Sequence, residues 1–209
     1  VNFELYLNFN KINYLKKIIN IDSNKVINRI QSFKKDNYLI VANFANFTLR
    51  KGADIFCEVA NLTNKYNKKI VFIWIGLGND EDNIYVKYSN VKNIFFFPKI
   101  NNIFPILQQI DILMINSRDE GGPTILLEGM YFNKICLTHV DCGFSKRVLE
   151  DNINGICLSN NYPKSYTDKI LNIYDLPNNF TQIQINAHKK ILKNYDKLSK
   201  ITNVTNILN

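Results

Sequence analysis

No apolar run in this chain reaches the roughly 18–20 residues that a membrane-spanning helix needs, and its first residues lack the pattern of a secretory signal. Cysteine is sparse: Cys57, Cys136, Cys142 and Cys157 lie far apart and form no C-x-x-C pair. That spacing argues for a reducing compartment, with Cys57 and Cys136, both in apolar segments, reading as buried thiols. His139 and His188 are the only histidines, so no His/Cys metal site is expected. The lysines are dispersed and no aromatic–basic motif accompanies them, so specific nucleic-acid recognition is not expected. The stretch "IGLGND" is followed by Glu81, where G-x-G-x-x-G would need its last glycine; a nicotinamide-cofactor fingerprint is therefore absent. No internal repeat or low-complexity spacer divides the chain. It begins with Val rather than Met, and reads as a fragment of a longer protein.

What is present is an ordinary globular composition. The 209 residues suffice for a real core, 46% of them are hydrophobic and 21% charged. The net charge of +8 points to anionic partners, such as phosphate groups, an anionic membrane surface or nucleic acid.

From residue 36 onward, apolar runs alternate with helical patterns. Strands are expected at 38–44, 69–76, 93–98, 111–117, 134–140 and 155–159. Helices are expected at 53–66, 103–109, 123–132, 145–150, 164–174 and 181–197, with a polar helix or loop across 80–90. Strands apolar on both faces, alternating with helices, predict a parallel sheet covered on both sides. The expected fold is a Rossmann-like three-layer α/β/α unit with about six parallel strands. Residues 1–36 read as a linker or N-terminal extension, 37–176 as the Rossmann-like domain and 177–209 as a C-terminal helical segment.

In such sheets ligands bind outside the carboxyl ends of the strands. The loops there are "NFANFTLRKG", "GLGND", "PKINN", "SRDEGGPT" and "HVDCGFS", and they hold most of the polar and glycine residues. In "SRDEGGPTILLEGM" (117–130), Pro123 suits the first turn of a helix. Gly121 and Gly122 permit close approach of a ligand to the backbone, and the free N–H groups of Gly122, Thr124 and Ile125 would face an anion such as a diphosphate. Glu120 precedes the helix and Glu128 lies about 7–8 Å further along its axis, so the two carboxylates can serve two ends of an extended ligand. The bland alternative makes Glu120 a helix-terminus charge and Glu128 a solvated residue; beside Ile125, Leu126 and Leu127, however, a buried Glu128 needs a partner. Arg50 and Lys51 can neutralise phosphate or form a solvated basic loop. Gly76 and Gly78 suit a tight turn or ligand approach. Pro98 and Lys99 end a strand where a base could stack, although Phe95, Phe96 and Phe97 read as core. Gly143 reads equally as a turn or a sugar-facing backbone, and His139 as structural rather than catalytic.

Taken in order, "VANF…RKGADIFCEVA", "FIWIGLG", "DILMINSRDEGGPTILLEGM" and "CGFSKRVLEDNINGICL" resemble the C-terminal, donor-binding domain of retaining GT-B glycosyltransferases of family 4, glycosyl transferase group 1. The resemblance runs from about Tyr38 to Ser159. It implies a nucleoside-diphosphate sugar (UDP-, GDP- or ADP-sugar) as donor substrate, with no cofactor and no metal. Glu120, Gly121 and Gly122 would hold the sugar, Glu128 the ribose, Lys51 the diphosphate, and the backbone near Pro98 and Lys99 the base. Lys51 and Arg50 would stabilise the leaving group electrostatically, beside Glu120. Many members carry an arginine where this chain has Asn43, so Asn43 counts among the donor-facing positions and Arg50 would supply the charge. Gly122 stands where a bulkier residue is usual, and Tyr131 and Phe132 where small ones are. The acceptor, a sugar or glycoconjugate, would be held by an N-terminal domain absent from these residues. The expected location is cytoplasmic, with room for peripheral membrane contact. The alternatives are a catalytically inactive scaffold or binding module, and a nucleotide-sugar epimerase-like enzyme.

Overall fold

The computed structural model describes residues 21–77, 82–122, 124–143 and 145–195. Six strands follow the expected order: β1 (Leu39–Phe44), β2 (Ile70–Leu77), β3 (Ile94–Pro98), β4 (Ile112–Met114), β5 (Ile135–His139) and β6 (Ile156–Leu158). Between and around them run α1 (Ile21–Lys35), α2 (Ala53–Asn64), α3 (Asp82–Tyr88), α4 (Phe104–Leu107), α5 (Thr124–Tyr131), α6 (Ser145–Val148), α7 (Pro163–Asp175) and α8 (Thr181–Tyr195), with a 3₁₀ turn at Pro177–Phe180.

All neighbouring strand pairs are parallel, in the order β3-β2-β1-β4-β5-β6. Alternate residues of each strand feed opposite faces. Ile40 and Ala42 join one core cluster with α1, α5 and α8, while Val41 joins the other with α2, α3 and α7. Covering both faces explains why the strands read as continuous apolar runs rather than alternating ones. The chain progression reverses between β1 and β4, and the crevice at that switch is where such sheets place ligands.

α1 lies within the segment read as a linker or extension. Its Val26, Ile30 and Phe33, spaced along one helical face, are buried in the core. Arg29 closes over the Phe33 and Phe95 rings, 4.6 and 4.9 Å from their centroids. α5 is buried along most of its length and lies so close to the sheet that a Cβ at Gly129 would sit 2.3 Å from Leu113 Cδ2. α8 fastens the far end of α5: Gln184 Nε2 donates to the Asn133 carbonyl at 2.9 Å, and His188 Nδ1–H donates to the Tyr131 carbonyl. These contacts hold α5 at both faces and at its C-terminus.

Candidate functional site

Two loops flank the switch point, one after β1 (residues 45–52) and one after β4 (residues 115–122). They are tied together by short bonds. The Arg118 N–H donates to the Arg50 carbonyl at 2.9 Å, and the Arg118 guanidinium grips both Asp54 carboxylate oxygens at 2.6 and 2.7 Å. Deeper, Asn43 Nδ2 donates to Asn116 Oδ1 at 2.9 Å, and Asn116 Nδ2 donates to the Gly52 carbonyl at 2.6 Å. Asn43 is only 4% exposed and does not line the cleft; it props the loop from beneath. Asn116 is the residue that the sequence reading passed over, although an amide following the apolar run "ILMI" at a carboxyl strand end was its visible signal.

On this frame Lys51 and Glu120 meet in an ion pair, their side chains only 16% and 17% exposed. Arg50, by contrast, is exposed. Gly143 backs the Glu120 loop: its φ is +53°, and a Cβ there would lie 2.1 Å from the Glu120 carbonyl oxygen. Its role is close approach to that loop, with the Glu120 backbone on the side where a side chain would project. His139 bridges the same loops, donating Nε2–H to the Ser117 carbonyl at 2.9 Å and accepting the Asp141 N–H at Nδ1. Both ring nitrogens are thereby used in the neutral form, and burial lowers its pKa.

At the carboxyl ends of β1 and β2 opens a cleft of about 710 Å³, and Lys51, Arg50, Glu120, Gly121, Gly122 and Gly143 are not among the residues that line it. Five of the sequence-selected residues line it: Gly76, Lys99, Thr124, Ile125 and Glu128. Asn46, Asn101 and Asn102 also line it; they stand in loops flagged as ligand-facing but were not singled out. Pro98 is exposed at the end of β3, outside the lining residues. Gly121 faces open space, with nothing within 4 Å of where a Cβ would stand. Gly78 and Pro123 lie outside the described residues.

Glu128 is the unusual member. It is 7% exposed, lies on the cleft wall, and among the described residues no group hydrogen-bonds its carboxyl or pairs with it. Burial pushes its pKa up to about 7. At the start of the same helix, no carbonyl among the described residues accepts from the N–H groups of Gly122, Thr124 or Ile125. A carboxyl group without a partner among the described residues and the open N–H donors of Thr124 and Ile125 therefore border one cleft. The first suits hydroxyl groups and the second suits an anion.

No curated protein matches the chain. Residues 24–190 match the family model described as Glycosyl transferases group 1. Among solved structures, Anabaena Alr3699/HepE in complex with UDP-glucose superposes with a TM-score of 0.71 at 15% identity, covering 88% of this chain and 52% of that one. A mutant of S. aureus TarM, solved with fondaparinux, alpha-GlcNAc-glycerol and UDP, gives a TM-score of 0.70 at 22% identity, covering 82% and 36%. The C-terminal domain of a glycosyl transferase group 1 family protein (LpcC) from Francisella tularensis gives 0.68 at 18% identity, covering 81% and 93%. The chain thus spans about half the length of HepE and nearly all of the LpcC domain.

Proposed function

The chain belongs to the group 1 glycosyl transferases, and from that premise we propose that it is the donor-binding domain of a retaining, family 4 enzyme using a nucleoside-diphosphate sugar. The observation that carries this reading is Glu128: a buried carboxyl with no partner among the described residues, on the wall of a cleft large enough for a nucleoside. Ribose hydroxyls would supply the hydrogen bonds that Glu128 lacks, and the base would lie between Lys99 and the asparagine-bearing loops. The diphosphate would sit against the first turn of α5, with Lys51 and the exposed Arg50 at its other side. Glu120, Gly121 and Gly122 would face the sugar. UDP is the favoured nucleotide because HepE and TarM were solved with it.

In the transfer step the bond between the anomeric carbon and the diphosphate oxygen breaks while positive charge develops on the sugar ring. The acceptor hydroxyl adds to the same face and passes its proton to the departing diphosphate oxygen. Lys51, Arg50 and the helix N–H groups stabilise the departing diphosphate by fixed positive charge, without a metal. The acceptor would be bound by a partner domain of the full-length protein. We place the protein in the cytoplasm, where free thiols persist, and its +8 charge fits attachment to an anionic membrane surface.

Calorimetric titration with UDP, GDP and ADP and their sugar conjugates tests the reading. Binding of one nucleotide series, weakened in Glu128→Gln, is expected; absence of binding to all six would refute it. A second reading, a binding module without catalysis, is favoured by the engagement of Asn43 with Asn116 at a position where the family often carries arginine. Donor binding without sugar transfer by the full-length protein would select it.

A further inference from the structure

We propose that Glu120, through its pairing with Lys51, makes the site prefer the sugar-bearing diphosphate over the bare nucleoside diphosphate that transfer leaves behind. The inference rests on the donor-site reading and adds a specificity determinant to it.

The pair joins two loops whose separation is fixed by the backbone. Arg118 N–H to Arg50 O (2.9 Å) and Asn116 Nδ2 to Gly52 O (2.6 Å) clamp the residues on either side of Lys51 to the strand end that leads to Glu120. Behind Glu120, the Gly143 backbone leaves no room for the loop to withdraw: a Cβ there would already lie 2.1 Å from the Glu120 oxygen. The side chains are 16% and 17% exposed, so neither charge can simply swing into bulk water. An anion that reaches Lys51 therefore arrives beside Glu120.

The two ligands meet that arrangement differently. In a nucleoside-diphosphate sugar, the distal phosphate is esterified and carries one charge, and the attached sugar brings hydroxyl donors. Those hydroxyls can take over the carboxylate oxygens of Glu120 as Lys51 turns to the phosphate, so no buried charge is left alone. In the bare diphosphate the terminal phosphate ionises a second time with a pKa of about 6, adding a negative charge near neutral pH and offering no hydroxyl donor. Glu120 must then surrender Lys51 without compensation or remain and repel the phosphate. After transfer, the same repulsion and the re-forming ion pair favour departure of the diphosphate.

An ion pair that served the fold alone would change both affinities alike on substitution. The readout is therefore the ratio Kd(UDP)/Kd(UDP-glucose), measured by calorimetry for the wild-type chain, Glu120→Gln and Glu120→Asp. The ratio cancels any common loss from altered folding, and melting curves for each variant verify that it is folded. Glu120→Gln is expected to tighten UDP about tenfold, corresponding to about 1.4 kcal/mol, and to weaken UDP-glucose, so that the ratio falls by more than tenfold. Glu120→Asp, which keeps the charge, is expected to retain most of the preference. In the wild-type chain the ratio should also fall as pH drops below the second phosphate ionisation, with a smaller change in Glu120→Gln. Wild-type binding with a ratio unchanged by Glu120→Gln would overturn the specificity role and leave the donor site standing. Failure of the wild-type chain to bind these two ligands or their GDP and ADP counterparts would overturn both.

Discussion

Two carboxylates at opposite ends of the sheet, Asp111 and Glu128, are treated in opposite ways. At the amino-terminal end, Asp111 accepts the Ile40 N–H at 2.8 Å on one oxygen and the Lys34 ammonium at 2.7 Å on the other. It thereby ties α1 to β1 and to the entry of β4. At the carboxyl end, Glu128 is more deeply buried than the half-exposed Lys34–Asp111 pair, yet no group among the described residues satisfies it. Even Lys134, whose pKa burial lowers to about 8, donates to the Gln108 carbonyl at 2.9 Å. A fold that answers its structural charges at one end and leaves Glu128 open at the other is bearing a cost at the second end, and a ligand is what would offset it.

Gly143 is where this contrast should break most severely. Gly143→Ala forces a side chain into a φ of +53° and against the Glu120 carbonyl, and should cost about 2–3 kcal/mol. Thermal denaturation would register the loss, and nucleotide binding should weaken in the same variant. Glu128→Gln should do the reverse for stability. Burial raises the folded-state pKa to about 7, whereas the unfolded carboxyl titrates near 4.3. Between those values the folded protein holds the extra proton, so stability contributed by the neutral group is full at low pH and is lost as pH rises towards 7. At pH 8 the glutamine variant should thus be clearly more stable than the wild type, and near pH 4 the two should converge. Chemical denaturation at both pH values measures the difference.

Asp111→Ala should cost about 1–2 kcal/mol, because it strands the Ile40 N–H and the Lys34 charge, while leaving nucleotide affinity unchanged. That pairing of effects is the mirror image of Glu128→Gln. His188→Ala, which removes the donor from the end of α5, should cost about 1 kcal/mol and be read most easily as faster hydrogen exchange at Tyr131 and its neighbours.

The sheet was legible because its strands are apolar on both faces and punctuated at short intervals, so six parallel strands followed from composition along the chain. α1 was not read as part of the core, because its buried Val26, Ile30 and Phe33 are interleaved with polar residues and only their helical spacing reveals them. At the site, the Glu120 and Glu128 spacing and the helix start were visible locally. The partners were not. Lys51 pairs with Glu120 across 69 residues and Asn43 with Asn116 across 73, contacts that depend on the switch between β1 and β4 rather than on local pattern. The same non-locality moved Asn43 from a donor-facing position to a buried support. Whether Glu128 was solvated or buried was likewise a question of what covers α5, and α8 and the cleft loops answer it.

The most direct test is the pH dependence of UDP-glucose binding by the wild-type chain and by Glu128→Gln, since the phosphates of that ligand do not titrate near neutrality. Calorimetry from pH 5.5 to 8 should show wild-type affinity rising as Glu128 ionises and becomes a pure acceptor for hydroxyl groups. The glutamine variant should bind about tenfold more weakly at pH 8, as expected for loss of a charged hydrogen-bond acceptor, and show little pH dependence. Equal affinity of the two proteins across the range would contradict the assignment of Glu128 to the nucleotide.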